Sequence, residues 1–90
     1  MRRVIYKYPL VLKGEGCAAT VTLPVRAQIL SVGFQHGEIF LWARIDPTAK
    51  TCERLMYVVP TGCDVPERIG FFLGRAQDER AGLVFHIFEG

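Results

Sequence analysis

The sequence predicts an all-β protein of about seven short, mainly antiparallel strands that form a small sandwich or flattened barrel. Three observations carry that reading. Short runs rich in β-branched and aromatic residues recur along the chain, and Gly, Pro and Asp punctuate them at close spacing. Four successive stretches are apolar on both faces when read as strands: Glu38 to Asp46, Leu55 to Val59, Ile69 to Leu73 and Leu83 to Phe88. The only helical competitors are a single turn at Ala76 to Arg80 and a short one near Pro66. A small antiparallel domain normally covers one face of each strand and leaves the other to water. The surplus of apolar faces therefore predicts a homo-oligomer, or a surface that meets a partner.

The first strand, Arg2 to Leu12, alternates Val4, Tyr6, Tyr8, Leu10 and Leu12 with Arg3, Ile5, Lys7, Pro9 and Val11. Pro9 has no ladder donor, so this strand is expected at a sheet edge or broken near that residue. Lys13-Gly14-Glu15-Gly16 reads as a turn. Ala18 to Leu23 is a short β-branched strand stopped by Pro24, and Ala27 to Gln35 is the third strand. His36-Gly37 is the two-residue connection of a tight hairpin into the fourth strand, Glu38 to Ile45. Asp46-Pro47-Thr48-Ala49-Lys50 places proline where a turn favours its fixed φ. Glu53 to Val59 is the fifth strand, and the proline-bounded segment Pro60 to Pro66 is a structured loop. Arg68 to Arg75 and Gly82 to Phe88 complete the set, joined by a polar turn around Gln77 to Ala81.

Ninety residues with no composition shift or linker predict a single β domain over residues 1–90. Such a chain folds to about 5,300 Å² of surface and supports one modest core. Half of the residues are hydrophobic and 22% are charged, which excludes a disordered chain. No apolar run approaches the roughly 18 residues of a membrane span. Met1-Arg2-Arg3 leads into alternating residues instead of the apolar core of a signal peptide, so a cytosolic location and no membrane partner are expected. The net charge of +2 is too small for a duplex nucleic-acid footprint, although Arg2, Arg3, Lys7 and Lys13 concentrate positive charge near the start. Cys17, Cys52 and Cys63 fit neither a disulfide framework nor a paired-ligand zinc site. They are expected to be reduced thiols, mostly buried as small hydrophobes.

No cofactor, metal or catalytic motif is legible, so the candidate residues are those of a binding site. Tyr6, Lys7 and Tyr8, with Trp42 and Arg44, have the chemistry of a nucleotide site: aromatic faces stack a base and arginine's fork holds a phosphate. Trp42 and Arg44 share a strand face, but nothing in the sequence places Tyr6 beside them. The structural alternative is that Trp42 packs in an interface or core and Arg44 is solvated or paired with Asp46. Thr61 and Gly62 offer a hydroxyl and backbone N–H groups to an anion, against ordinary turn chemistry. His86 is either a polar anchor for a ligand or a hydrogen-bonded histidine at a core edge. Arg75 is a second candidate for holding a phosphate. His36, beside the hairpin glycine, is structural.

Several short words taken together resemble a family of small phage and prophage proteins of unknown function. They are Val4-Ile5-Tyr6-Lys7-Tyr8-Pro9-Leu10, Leu23-Pro24 followed by Ala27-Gln28-Ile29-Leu30-Ser31-Val32, Leu41-Trp42-Ala43 with Asp46-Pro47, and Leu83-Val84-Phe85-His86-Ile87-Phe88-Glu89. The likeness spans nearly the whole chain. In that family's pattern Gly-Thr-Gly-His stands where this chain has Pro60-Thr61-Gly62-Cys63, so a role of that histidine does not transfer. The resemblance implies a phage accessory protein in the host cytoplasm. Such proteins are often counter-defence factors, and by analogy one that traps a cyclic or ADP-ribose-derived nucleotide signal is expected. The leading expectation is thus a homo-oligomer that sequesters a small anionic nucleotide at a subunit interface. The alternative is a protein-interaction inhibitor of a host defence or nuclease complex, and a minor virion component is the third reading.

Overall fold

The computed structural model describes residues 2–12 and 17–90; the expected turn at Lys13 to Gly16 lies outside them. Seven antiparallel strands follow one another: β1 (Val4–Leu12), β2 (Ala18–Pro24), β3 (Gln28–Gln35), β4 (Glu38–Ile45), β5 (Thr51–Pro60), β6 (Phe72–Asp78) and β7 (Leu83–Glu89). They form one sheet in the order β3-β4-β1-β2-β5-β7-β6. The sheet curls until its two edges meet, giving a nearly closed barrel. Val32 of β3 and Gly74 of β6 touch across the seam, and the Phe34 and Phe85 rings stack inside it with centroids 6.2 Å apart.

Turn chemistry sets the register. His36 and Gly37 both hold positive φ, 52° and 80°, which is the two-residue type I′ connection whose twist matches the flanking strands. Gln35 accordingly pairs with Glu38. At the next corner Asp46 Oδ1 accepts the Thr48 N–H at 3.0 Å and the Thr48 hydroxyl at 2.7 Å, while the Ala49 N–H reaches the Asp46 carbonyl at 3.1 Å. Between β6 and β7, Asp78 Oδ1 accepts the N–H groups of Arg80 and Ala81.

Pro9 does not break β1, nor does β1 lie at a sheet edge: the strand runs on through Pro9, which pairs with Phe40 of β4 and has no partner on the β2 side, so the missing ladder donor is tolerated. Val4 to Leu10 pair with β4, whereas Val11 and Leu12 pair with β2. Strand six differs from the sequence reading: it runs over Phe72–Asp78, not from Arg68 to Arg75. Ala76, Gln77 and Asp78 extend against Phe85, Val84 and Leu83, so cross-strand pairing overrides the turn-like or helical look of that stretch.

Alternation separates an inner from an outer face. Leu10, Ala19, Val21, Leu23, Leu41, Ala43, Ile45, Met56, Val58, Ala76 and Ile87 fill the interior. One end of the barrel carries a charge pair. Arg54 grips Glu89 side-on, Nε donating to Oε2 at 2.6 Å and Nη2 to Oε1 at 2.7 Å, and Nη1 donates to the Ala27 carbonyl at 2.6 Å. That contact holds the Arg54 guanidinium above its already high ordinary value. Both side chains are about one-fifth exposed, so this pair ties β5, the end of β7 and the β2–β3 corner in a partly dry setting.

Two substitutions test this frame. Gly74 has φ 147°, and a Cβ there would come within 2.9 Å of Val32. Gly74→Ala should therefore destabilise by about 2 kcal/mol, read as a lower urea midpoint with unchanged slope. Glu89→Ala should cost about 2 kcal/mol, since it strands the Arg54 charge, and Arg54→Met in the same chain should recover part of that loss.

Candidate functional site

The register sorts the expected binding residues onto three surfaces. On β4 the inner row is Ile39, Leu41, Ala43 and Ile45, so Phe40, Trp42 and Arg44 point outward. On β1 the residues opposite that inner row are Val4, Tyr6, Tyr8 and Leu10, which leaves Ile5, Lys7 and Pro9 outside. Lys7, Trp42 and Arg44 therefore share the outer face of β1, β4 and β3. Tyr6 and Tyr8 lie on the opposite, inner face, where β1 diverges from β2. Adjacent positions in a strand face opposite ways, so Lys7 cannot share a surface with its two tyrosine neighbours. Tyr8 packs against the core, and its burial, with the Tyr6 phenol nearby, raises its hydroxyl above the ordinary tyrosine value.

The outer face of β4 is aromatic. Lys7 Nζ sits 4.5 Å from the centre of the Phe40 ring, a cation–π distance, and donates to Gln35 Oε1 at 3.2 Å. Phe40 and Trp42 are tilted neighbours with centroids 6.4 Å apart. Trp42 lies over Gly33 of β3, where a Cβ would come within 3.2 Å of the indole. The bare backbone at Gly33 is what admits the ring. Arg44 donates through Nη2 to Gln28 Oε1, not to Asp46, which is engaged by Thr48 and lies 4.0 Å from Arg3. Glu38 shares this face, yet among the described residues neither Lys7 nor Arg44 has a carboxylate in ion-pair range.

Thr61, Gly62, Arg75 and His86 converge on a different wall. The Cys63 N–H reaches the Pro60 carbonyl at 3.1 Å and Gly62 has φ 92°, so Pro60 to Cys63 form a type II turn that requires glycine at its third position. The turn presents the Thr61 hydroxyl 2.8 Å from His86 Nε2. Arg75 is the cross-strand partner of His86 and so points to the same outer face. Sequence reasoning held these four as separate candidates, because only the β6–β7 register and the reach of the turn join them.

Concave space lies elsewhere. An apolar cleft of about 320 Å³ at one mouth of the barrel is lined by Leu12, Cys17, Val58, Pro60, Cys63, Asp64 and Phe85. A cleft of about 530 Å³ separates the β3–β4 hairpin, with Phe34 and His36, from the Gln77–Arg80 turn. None of the nine expected binding residues lines either one. Cys52 and Cys63 are exposed and Cys17 is half-buried, which corrects the expectation of mostly buried thiols. Cys63 stands on the Pro60–Cys63 surface turn, and Cys52, near the start of β5, is exposed although it pairs with the buried Leu23; neither outcome can be read from cysteine's average preference. Among the described residues no three His, Cys, Asp or Glu side chains cluster as metal ligands, and no helix is long and apolar enough to cross a membrane.

The fold and its surfaces define a small all-β, barrel-like protein with an aromatic and cationic outer wall. A family model covers residues 1–90, and the chain belongs to that family, DUF7352, a domain of unknown function. No curated protein and no solved structure matches it.

The Asp46 corner makes a pH prediction. The Thr48 hydroxyl and N–H, with Arg3 behind them, hold the Asp46 carboxyl below the ordinary carboxylate range. A lowered folded value means that this group stabilises the protein above its unfolded pKa of about 4, and that the contribution fades as pH falls through the folded value. Asp46→Asn should therefore be less stable than the parent at neutral pH and lose less stability on acidification, measured as urea midpoints across the acid range.

Proposed function

We propose that this protein is a homo-oligomeric binder that holds a small anionic nucleotide on the outer face of β1, β4 and β3, closed over by a second copy. One observation carries the reading: Phe40 and Trp42 lie side by side, half-buried, on the outer sheet face, flanked by Lys7 and Arg44, which have no carboxylate partner among the described residues. Every base has a π-face that stacks on an exposed aromatic, at about 1–3 kcal/mol per base. Phosphate supplies the charge for the ammonium and the guanidinium fork.

None of the clefts described is lined by Lys7, Phe40, Trp42 or Arg44, so one subunit alone encloses little of a ligand; a facing copy supplies the other side. Apolar surface for that contact is at hand, with Ile5 on this wall 60% exposed. The chain also exposes 6147 Å², more than the about 5,300 Å² expected of a compact chain of this mass. On the resemblance to phage and prophage proteins, the ligand is read as a nucleotide signal of host defence and the place of action as the host cytoplasm.

A second reading, inhibition of a host defence or nuclease complex through protein contact, is favoured by Phe71 and Phe72, which are 80% and 59% exposed.

Thermal unfolding in the presence of cyclic dinucleotides and ADP-ribose isomers tests the first reading. A ligand at about 100 times its Kd adds about 2.7 kcal/mol, a rise on the order of 10 °C for a chain this small. Trp42→Ala and Arg44→Gln should each weaken binding at least about tenfold; Arg44→Gln, at an exposed position, should keep the unliganded midpoint, whereas Trp42→Ala should lower it because the ring packs on Gly33. The absence of a shift with every compound removes this reading. A monomer in sedimentation that captures a host defence protein favours the second.

A further inference from the structure

We propose that Arg75, His86 and Thr61 form a site for a small oxyanion, a carboxylate or a phosphoryl group, on the outer face of β6 and β7. The site is independent of the nucleotide reading. Going round the barrel, it is separated from β4 by β3 in one direction and by β1, β2 and β5 in the other.

Proton placement at Thr61 is the starting point. Its hydroxyl lies 2.8 Å from His86 Nε2 and 3.3 Å from the Val84 carbonyl, and that carbonyl already accepts the Thr61 N–H at 3.0 Å. We assign the hydroxyl proton to the nearer acceptor, Nε2, over the Val84 carbonyl, one of whose two lone pairs the Thr61 N–H already takes. A neutral imidazole that accepts at Nε2 carries its own proton on Nδ1. With that assignment the Nδ1–H has no hydrogen-bond partner among the described residues and is an unused donor.

Beside it stands a permanent cation. Arg75 is paired with His86 across the ladder, and directly opposite positions hold their Cβ atoms about 5 Å apart on one face. Arg75 has no carboxylate in ion-pair range among the described residues, and neither loop acid, Asp64 or Glu67, makes an ion pair. A guanidinium fork next to a fixed imidazole N–H is a donor set that an oxyanion satisfies and water satisfies less well.

Topology also shelters the place. β5 and β6 both run antiparallel to β7, so the segment joining them, residues 61–71, has to return along the outside of the sheet. Val59, the other partner of His86, faces outward by register and is nonetheless only 3% exposed. Donors at the edge of a partly dry surface hold an anion more firmly than donors in open water.

Amide and imidazole nitrogen shifts, followed while inorganic phosphate and, separately, acetate are titrated against a chloride control, test the proposal and tell the two anion classes apart. Saturable shifts confined to Thr61, Gly62, Arg75 and His86 are expected with at least one of them. Arg75→Gln, at an exposed position, should weaken that binding about tenfold or more. Thr61→Val should move the His86 ring nitrogens away from the Nδ1–H pattern and weaken binding in parallel. Shifts that never saturate, that chloride reproduces, or that persist at equal affinity in Arg75→Gln would overturn the site. A His86 ring carrying its proton on Nε2 in the parent protein would overturn it as well.

Discussion

Leu23, Leu41, Ile45, Met56 and Ile87 leave water only if the sheet that carries them curls back on itself, because no helix or second sheet covers them among the described residues. That burial is the dominant favourable force in the fold. Closure follows from it, and closure in turn demands a seam where β3 and β6 approach without a regular ladder. Gly74 and Val32 meet there because glycine brings no side chain to keep the two edges apart. The Phe34 and Phe85 rings then fill the interior at the mouth that the seam creates.

Once the barrel closes, each strand acquires an inside and an outside, and the outside carries most of the candidate binding residues. Interior space is taken by side chains, as is usual for a small barrel. The two proposed sites are therefore on the walls and not in a central cavity. One wall is aromatic and cationic, with Trp42 resting on the bare backbone of Gly33; the other is polar, with Thr61 directing His86 beside Arg75. The two differ in kind. An aromatic wall suits a planar ligand and a second copy, whereas the turn, imidazole and guanidinium suit a small anion.

The end of the barrel opposite the Phe34–Phe85 mouth is closed by charge instead of hydrocarbon. Arg54 sits on the inner face opposite Val21, and Glu89 on the inner face opposite Met56, so both ions are partly withdrawn from water. Their side-on contact and the bond to the Ala27 carbonyl satisfy most of what desolvation takes away. Neither residue stands out in the sequence. Thirty-five positions separate them, and only the β2–β5–β7 pairing brings them together.

The sequence by itself determined the class, the positions of most strands and the type of several corners, because alternation, β-branching and turn residues act over a few neighbouring positions. Glu38–Ile45 stands where its pattern placed it, and His36-Gly37 makes the tight hairpin its residue types demand. Strand six was displaced because Gln77 and Asp78 look like turn residues until Val84 and Leu83 pair with them. The tertiary structure alone decided that the sheet is a barrel and not a sandwich, that Tyr6 and Tyr8 face away from Lys7, Trp42 and Arg44, and that Thr61, Arg75 and His86 meet. The physical reason is common to all three. A strand's residues fix which side chains share a face, but which faces look at one another depends on register and closure between segments far apart in the chain.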